Sequence, residues 1–186
     1  MKNLLYRGLL AFIFLFLGCS DISIPKPHAM LRLEYPLPNY KKIPKDFPFD
    51  FEYNSLASLK KASKQAPNIE YNRMEATLYL SYLSVNNNID SLLNDAYKLP
   101  AKHMIKAEEI PEKIFLNNDN KTYGALFSVI GDAASQLQFF VTDSTKNFLM
   151  GSLYFYSRPN YDSIMPAAKY IERDVVHLME TLKWIN

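Results

Sequence analysis

The chain has one cysteine, three histidines and five glycines in 186 residues, and each scarcity closes a line of explanation. With Cys19 alone no intrachain disulfide can form, and no cysteine pair can hold a metal. His28, His103 and His177 lack the i, i+4 spacing of a helical metal site, so neither a metal nor any other cofactor is expected. There is no glycine-rich phosphate loop, no internal repeat and no low-complexity tract. No apolar run reaches the ~20 residues that cross a bilayer as a helix. Charge of one sign is also lacking: of 21 Lys and Arg, two lie in residues 1–19, which leaves 19 bases against 19 acids. A neutral chain without a cationic block has nothing to displace condensed counterions, so nucleic acid is not an expected partner.

What is present begins at the N-terminus. Lys2 and Arg7 precede the apolar run Leu9–Leu17, then come small Gly18 and Cys19, the order of a bacterial lipoprotein signal peptide. Phe16 and Leu17 stand where leucine and a small residue are usual, while Gly18 and Cys19 match. Residues 1–18 are therefore expected to be a signal peptide and Cys19 the lipidated N-terminus. Residues 19–35 read as a tether and 36–186 as a single domain. Pro25, Pro27, Pro36, Pro38, Pro44 and Pro48 fix φ and remove amide donors, which makes this stretch extended chain and surface loop. Tyr35, Tyr40 and Phe47 are placed to pack its later part back on the domain.

Beyond the tether the hydrophobic period changes along the chain. Phe49, Phe51 and Tyr53 alternate, as do Leu78, Leu80 and Tyr82 against Thr77, Tyr79 and Ser81, and both read as strands. Between Asn88 and Ala107 the apolar residues Ile89, Leu92, Leu93, Ala96 and Leu99 recur at three and four, a helix face with Asn88 as N-cap and Pro100 expected to kink or divide it. Three strand-like runs follow, Tyr123–Ile130, Gln136–Thr142 and Phe148–Tyr156, joined by links too short for parallel crossovers. From Asp162 onward Ile164, Ala168, Ile171, Val175, Leu178 and Leu182 form the stripe of an amphipathic helix of about five turns. The pattern predicts an α+β fold: a mainly antiparallel sheet of about five or six strands, flanked on both faces by two long helices in a three-layer sandwich.

Candidates for chemistry are few. Ser135, in the loop Gly131–Ser135, could act as a nucleophile with His103 or His177 and with Asp132 or Asp143, giving a hydrolase or a small-ligand module; it lacks the Gly-x-Ser-x-Gly elbow. Thr142–Thr145 more simply supplies acceptors for its own turn, and Gly151 marks a bulge or close packing. With 13 Tyr and 12 Phe, aromatics are abundant. Tyr154, Tyr156, Arg158 and Tyr161 bring rings and a guanidinium together with the composition of a protein–protein interface.

The stretches YPLPNY (Tyr35–Tyr40), FPFDFEY (Phe47–Tyr53), NIEY (Asn68–Tyr71), LSY (Leu80–Tyr82) and KHMIKA (Lys102–Ala107) lead to two longer blocks, GDAASQLQFFVTDSTKNFLMGSLYFYSRPNYDS (Gly131–Ser163) and ERDVVHLMETLKW (Glu172–Trp184). Together they resemble the GldD-type gliding motility lipoproteins of the Bacteroidota, with Ala66–Pro67 and Leu83 as departures where that family tends to carry Trp and Lys. The resemblance implies a non-catalytic, lipid-anchored accessory protein of the gliding machinery and of the associated type IX secretion system. Its implied partners are other gliding motility or secretion lipoproteins and envelope proteins, and the membrane itself through the acyl chains on Cys19. The implied location faces the periplasm, with the outer membrane favoured over the inner because no aspartate directly follows Cys19.

Overall fold

The computed structural model describes residues 35–157 and 160–185. Cys19 and Arg158 lie outside them. Three short strands open the chain, β1 (Tyr40–Lys42), β2 (Phe49–Asp50) and β3 (Glu52–Asn54), followed by β4 (Ser58–Lys61), β5 (Pro67–Tyr71) and β6 (Ala76–Ser84). Helix α1 (Ile89–Ala101) leads to β7 (Ala107–Glu109), β8 (Glu112–Asn117), β9 (Thr122–Ser128), β10 (Ile130–Gly131), β11 (Ser135–Thr142) and β12 (Asn147–Phe155). Helix α2 (Tyr161–Thr181) and the short β13 (Lys183–Trp184) close it.

Seven strands form one sheet in the order β4-β5-β6-β12-β11-β9-β8, every neighbouring pair antiparallel. The fold is α+β with helices on both faces, as the alternation predicted. The sheet has one or two strands more than expected: β4, β5 and β8 join the four strands read from alternation, whereas the Phe49–Tyr53 run divides into β2 and β3, which pair outside it with β13 and β1. The turn Asp143–Lys146 makes the β11–β12 hairpin from its own side chains. Thr142 Oγ1 accepts from the Ser144 amide, and Asp143 Oδ1 accepts from the amides of Thr145, Lys146 and Asn147 at 2.7–2.9 Å.

Two helix expectations are refined. Helix α1 ends at Ala101 with Pro100 in its last turn, so of the kink or division expected there the chain takes the division. Past Leu99 the apolar period lapses at Lys102 and His103, so no packing face continues the helix. Asn88 occupies the N-cap position, but its Oδ1 accepts from the Asn86 amide at 2.7 Å and caps nothing.

Each sheet face has its own core. On one, Ile171, Val175 and Leu178 of α2 meet Leu78 and Leu80 of β6, Phe139 and Val141 of β11, and Leu149 and Leu153 of β12, with Phe47, Phe49 and Phe51 extending the layer. Gly151 faces this core, where a Cβ would overlap the Phe139 ring, so close packing and not a bulge explains it. On the other face α1 packs Leu92, Leu93 and Ala96 against Phe127, Phe140 and Phe148. Helix α2 with the N-terminal strands closes the first face. The shorter α1 covers only part of the second, chiefly over β9, β11 and the start of β12.

Candidate functional site

The proposed nucleophile does not meet its partners. Ser135 is fully buried and its hydroxyl donates to the Leu137 carbonyl at 3.2 Å. Asp132 accepts instead from the Tyr161 amide at 2.8 Å, holding the start of α2, and Asp143 is used by its own turn. Burial would raise the Asp143 pKa, but the three amides and the Asn147 side chain outweigh it and hold the carboxyl at about 2. His177 bonds Glu52 through Nε2 at 2.9 Å and stacks on Tyr40 with ring centroids 3.6 Å apart. Among the described residues, no group of three His, Cys, Asp or Glu side chains is placed to hold a metal.

Beside that His177–Glu52 pair lies a buried polar cluster that sequence reasoning missed. Asp174 on α2 is 3% exposed and accepts from the Tyr40 hydroxyl at 2.9 Å and from Asn54 Nδ2 at 3.0 Å. The same Asn54 group donates to the Tyr170 hydroxyl at 2.9 Å. Burial raises the Asp174 pKa, opposed by hydrogen bonds from Asn54, Tyr40 and Tyr71 and by the Arg173 charge. The Tyr71 hydroxyl is itself pushed far up by burial and by the Asp174 carboxylate. Tyr35 packs on Tyr170 at 5.2 Å. The cluster thus fastens the first described segment, from Tyr35 through β3, onto α2. Asp174 and Asn54 are enclosed by their partners, while Tyr40 is half-buried at the edge of the cluster.

The open half of the second sheet face carries the other concentration of tyrosine. Along β6, Thr77 and Tyr79 point away from α2; β12 places Tyr154 opposite Thr77 and Ser152 opposite Tyr79. Tyr79 and Tyr154 meet edge to face at 5.8 Å. Just past β12, the Tyr156 hydroxyl lies 2.7 Å from Thr77 Oγ1 and 3.3 Å from the Tyr79 hydroxyl, while its amide donates to the Glu75 carbonyl. Bonds from Thr77 first and Tyr79 second lower the Tyr156 pKa. The three rings are held in one arrangement, yet Tyr79, Tyr154 and Tyr156 remain 40%, 38% and 64% exposed. The Lys60–Glu70 ion pair, 3.2 Å, borders them.

Of the predicted interface residues, the structure therefore brings Tyr154 and Tyr156 together. Tyr161 sits half-buried at the first position of α2, with no hydrogen bond or ring contact to the other two among the described residues. Arg158 lies outside the described residues. Tyr79 and Thr77 were missed, although the alternation of β6 had already set them on the face opposite Leu78 and Leu80. What was lacking was the neighbour: only the β6–β12 register puts Tyr79 beside Tyr154.

No helix among the described residues is long and apolar enough to cross a membrane. Among the described residues, Ser135 and Asp132 are engaged with backbone groups, while the tyrosines of the open sheet face remain exposed. The comparison with known families is specific: the family described as gliding motility lipoprotein GldD matches residues 20–184, and the chain belongs to it. No curated protein matches the chain. Membership makes this a gliding motility lipoprotein, anchored in the cell envelope.

Proposed function

We propose that the protein is a non-catalytic docking domain of the gliding machinery and of the associated type IX secretion apparatus. It assembles or stabilises partner lipoproteins and envelope proteins through the open tyrosine half of its sheet. The observation that carries this reading is the Tyr79–Tyr154–Tyr156 cluster: large rings, ordered by mutual bonds before any partner arrives, on a face its own helix leaves uncovered. Pre-ordered tyrosines lose little rotamer freedom on binding, and their rings bury large apolar area around a polar tip.

Acyl chains on Cys19 complete the mechanism. Each buried methylene contributes roughly 0.8 kcal/mol, so two or three chains hold the protein at the membrane, outer in preference to inner, facing the periplasm. Confinement raises the effective concentration of partners, and a modest interface then suffices. The direct test is Tyr79→Ala/Tyr154→Ala/Tyr156→Ala in cells, read as colony spreading and export of surface adhesins. Loss of both with normal protein level supports the reading, and unchanged spreading and export would end it. Cys19→Ala with membrane fractionation tests the anchor separately: the protein is expected to leave the membrane fraction.

A further inference from the structure

The two edges of the sheet are treated differently. Strand β4 is short and carries Lys60 and Lys61, the usual protection against edge-to-edge pairing. Strand β8, Glu112-Lys113-Ile114-Phe115-Leu116-Asn117, is longer and exposes Ile114 and Leu116 at 56% and 75%. Its free backbone groups follow from its pairing with β9. The Ser128 amide donates to the Pro111 carbonyl at 3.1 Å, one step before the Glu112–Phe127 pair, so Lys113, Phe115 and Asn117 bond β9. Glu112, Ile114 and Leu116 then turn both N–H and C=O outward, and no described backbone group outside β8 meets them.

We propose that β8 is a self-association site, pairing antiparallel with β8 of a second copy about a two-fold axis through Phe115. This surface is separate from the tyrosine face and does not rest on it. A two-fold pairing must bring residues of like parity opposite one another, because opposed side chains share a face. Two registers fit the strand. An axis at Ile114 sets Glu112 against Leu116 of the second copy, a carboxylate over an apolar side chain. The axis at Phe115 sets Ile114 against Leu116 twice on one face, Phe115 against Phe115 on the other, and Lys113 against Asn117. It also joins Ile114 to Leu116 through the outward backbone groups of both, and places no like charges opposite each other. The pattern is self-complementary without any change of shape, which is why the occupant is a second copy and not an unrelated strand. Shared anchoring in one membrane raises the encounter rate of two such edges.

The test uses the full lipidated protein in membranes, comparing engineered cysteines with the wild-type background, in which Cys19 is the only cysteine. Under mild oxidation Phe115→Cys is expected to give a disulfide-linked dimer, reduced at least tenfold when Leu116→Lys is added. Ile114→Cys and Leu116→Cys, both at exposed positions that folding does not need, are expected to cross-link when co-expressed and not when either is alone. Sedimentation of detergent-solubilised protein should change from dimer to monomer with Leu116→Lys, with unaltered circular dichroism. A monomeric wild type, cross-linking that ignores Leu116→Lys, or stronger self-linking of Ile114→Cys than of the mixed pair would each overturn the proposal.

Discussion

Tyrosine is used twice in this domain, in two opposite ways. Around Asp174, the hydroxyls of Tyr40 and Tyr170 are tied into a network beside Tyr71 that joins β1 and β3 to α2. On the far side of the sheet, Tyr156 bonds Thr77 and Tyr79, and Tyr154 meets the Tyr79 ring, yet all three tyrosines remain open to solvent. Burial separates them chemically too: it drives the Tyr71 hydroxyl far up, whereas hydrogen bonds lower that of Tyr156. The same residue type therefore ties elements of the fold together in one place and stays open to solvent in the other. Composition alone reports only that tyrosine is plentiful.

If the comparison is right, the largest loss of stability comes from breaking the buried cluster. Asp174→Ala leaves the Tyr40 and Asn54 donors without their acceptor in the interior and should cost about 3 kcal/mol in urea or thermal unfolding. Next comes Gly151→Ala on the closed face, which drives a methyl group into the Phe139 ring and should cost about 1–3 kcal/mol. Ser152→Ala, one residue on and facing the open side, should stay within about 0.5 kcal/mol. A smaller effect is a pH dependence of defined sign. The folded pKa of Asp174 is raised, so above the ordinary value of 3.8 the unfolded chain releases its proton first, and stability falls as pH rises through the window up to the folded value. Asp143 acts oppositely: with its folded pKa held at about 2, its contribution is present above 3.8 and is lost as pH falls through about 2. Asp143→Asn should flatten that acid limb by about 1–2 kcal/mol, discounted for solvent screening, in unfolding measured from pH 2 to 5. The smallest stability effect belongs to the open cluster: Tyr154→Ala should change unfolding by no more than about 0.5 kcal/mol.

Much of the architecture was legible because the hydrophobic period is clean where both faces of an element are decided by burial. Helix α2 and strands β6, β11 and β12 were found from spacing within one or two residues of their ends. The edges β4 and β8 were not, since a strand with one paired side carries no compelling alternation. The short strands β7, β10 and β13 are set by tertiary contact and leave no local signal. For the candidate site, the cluster of Tyr154 and Tyr156 was visible as composition. Tyr79 lies 75 residues away from Tyr154 in sequence and becomes its neighbour only through strand register, which one chain does not reveal. The Asp174 network draws on Tyr40, Asn54 and Tyr170 from three separate elements and was invisible for the same reason. Ser135 shows the converse: a residue type suited to chemistry, placed by the fold where it serves the backbone.

The central claim is that the open tyrosines recognise a partner and do not support the fold. Affinity capture from membranes tests it most directly, with wild type compared against Tyr79→Ala/Tyr154→Ala/Tyr156→Ala at matched expression and unchanged thermal unfolding. The expected result is at least a tenfold loss of co-purifying gliding or secretion lipoproteins from a variant that remains folded and anchored. Undiminished capture by that folded variant would contradict the account.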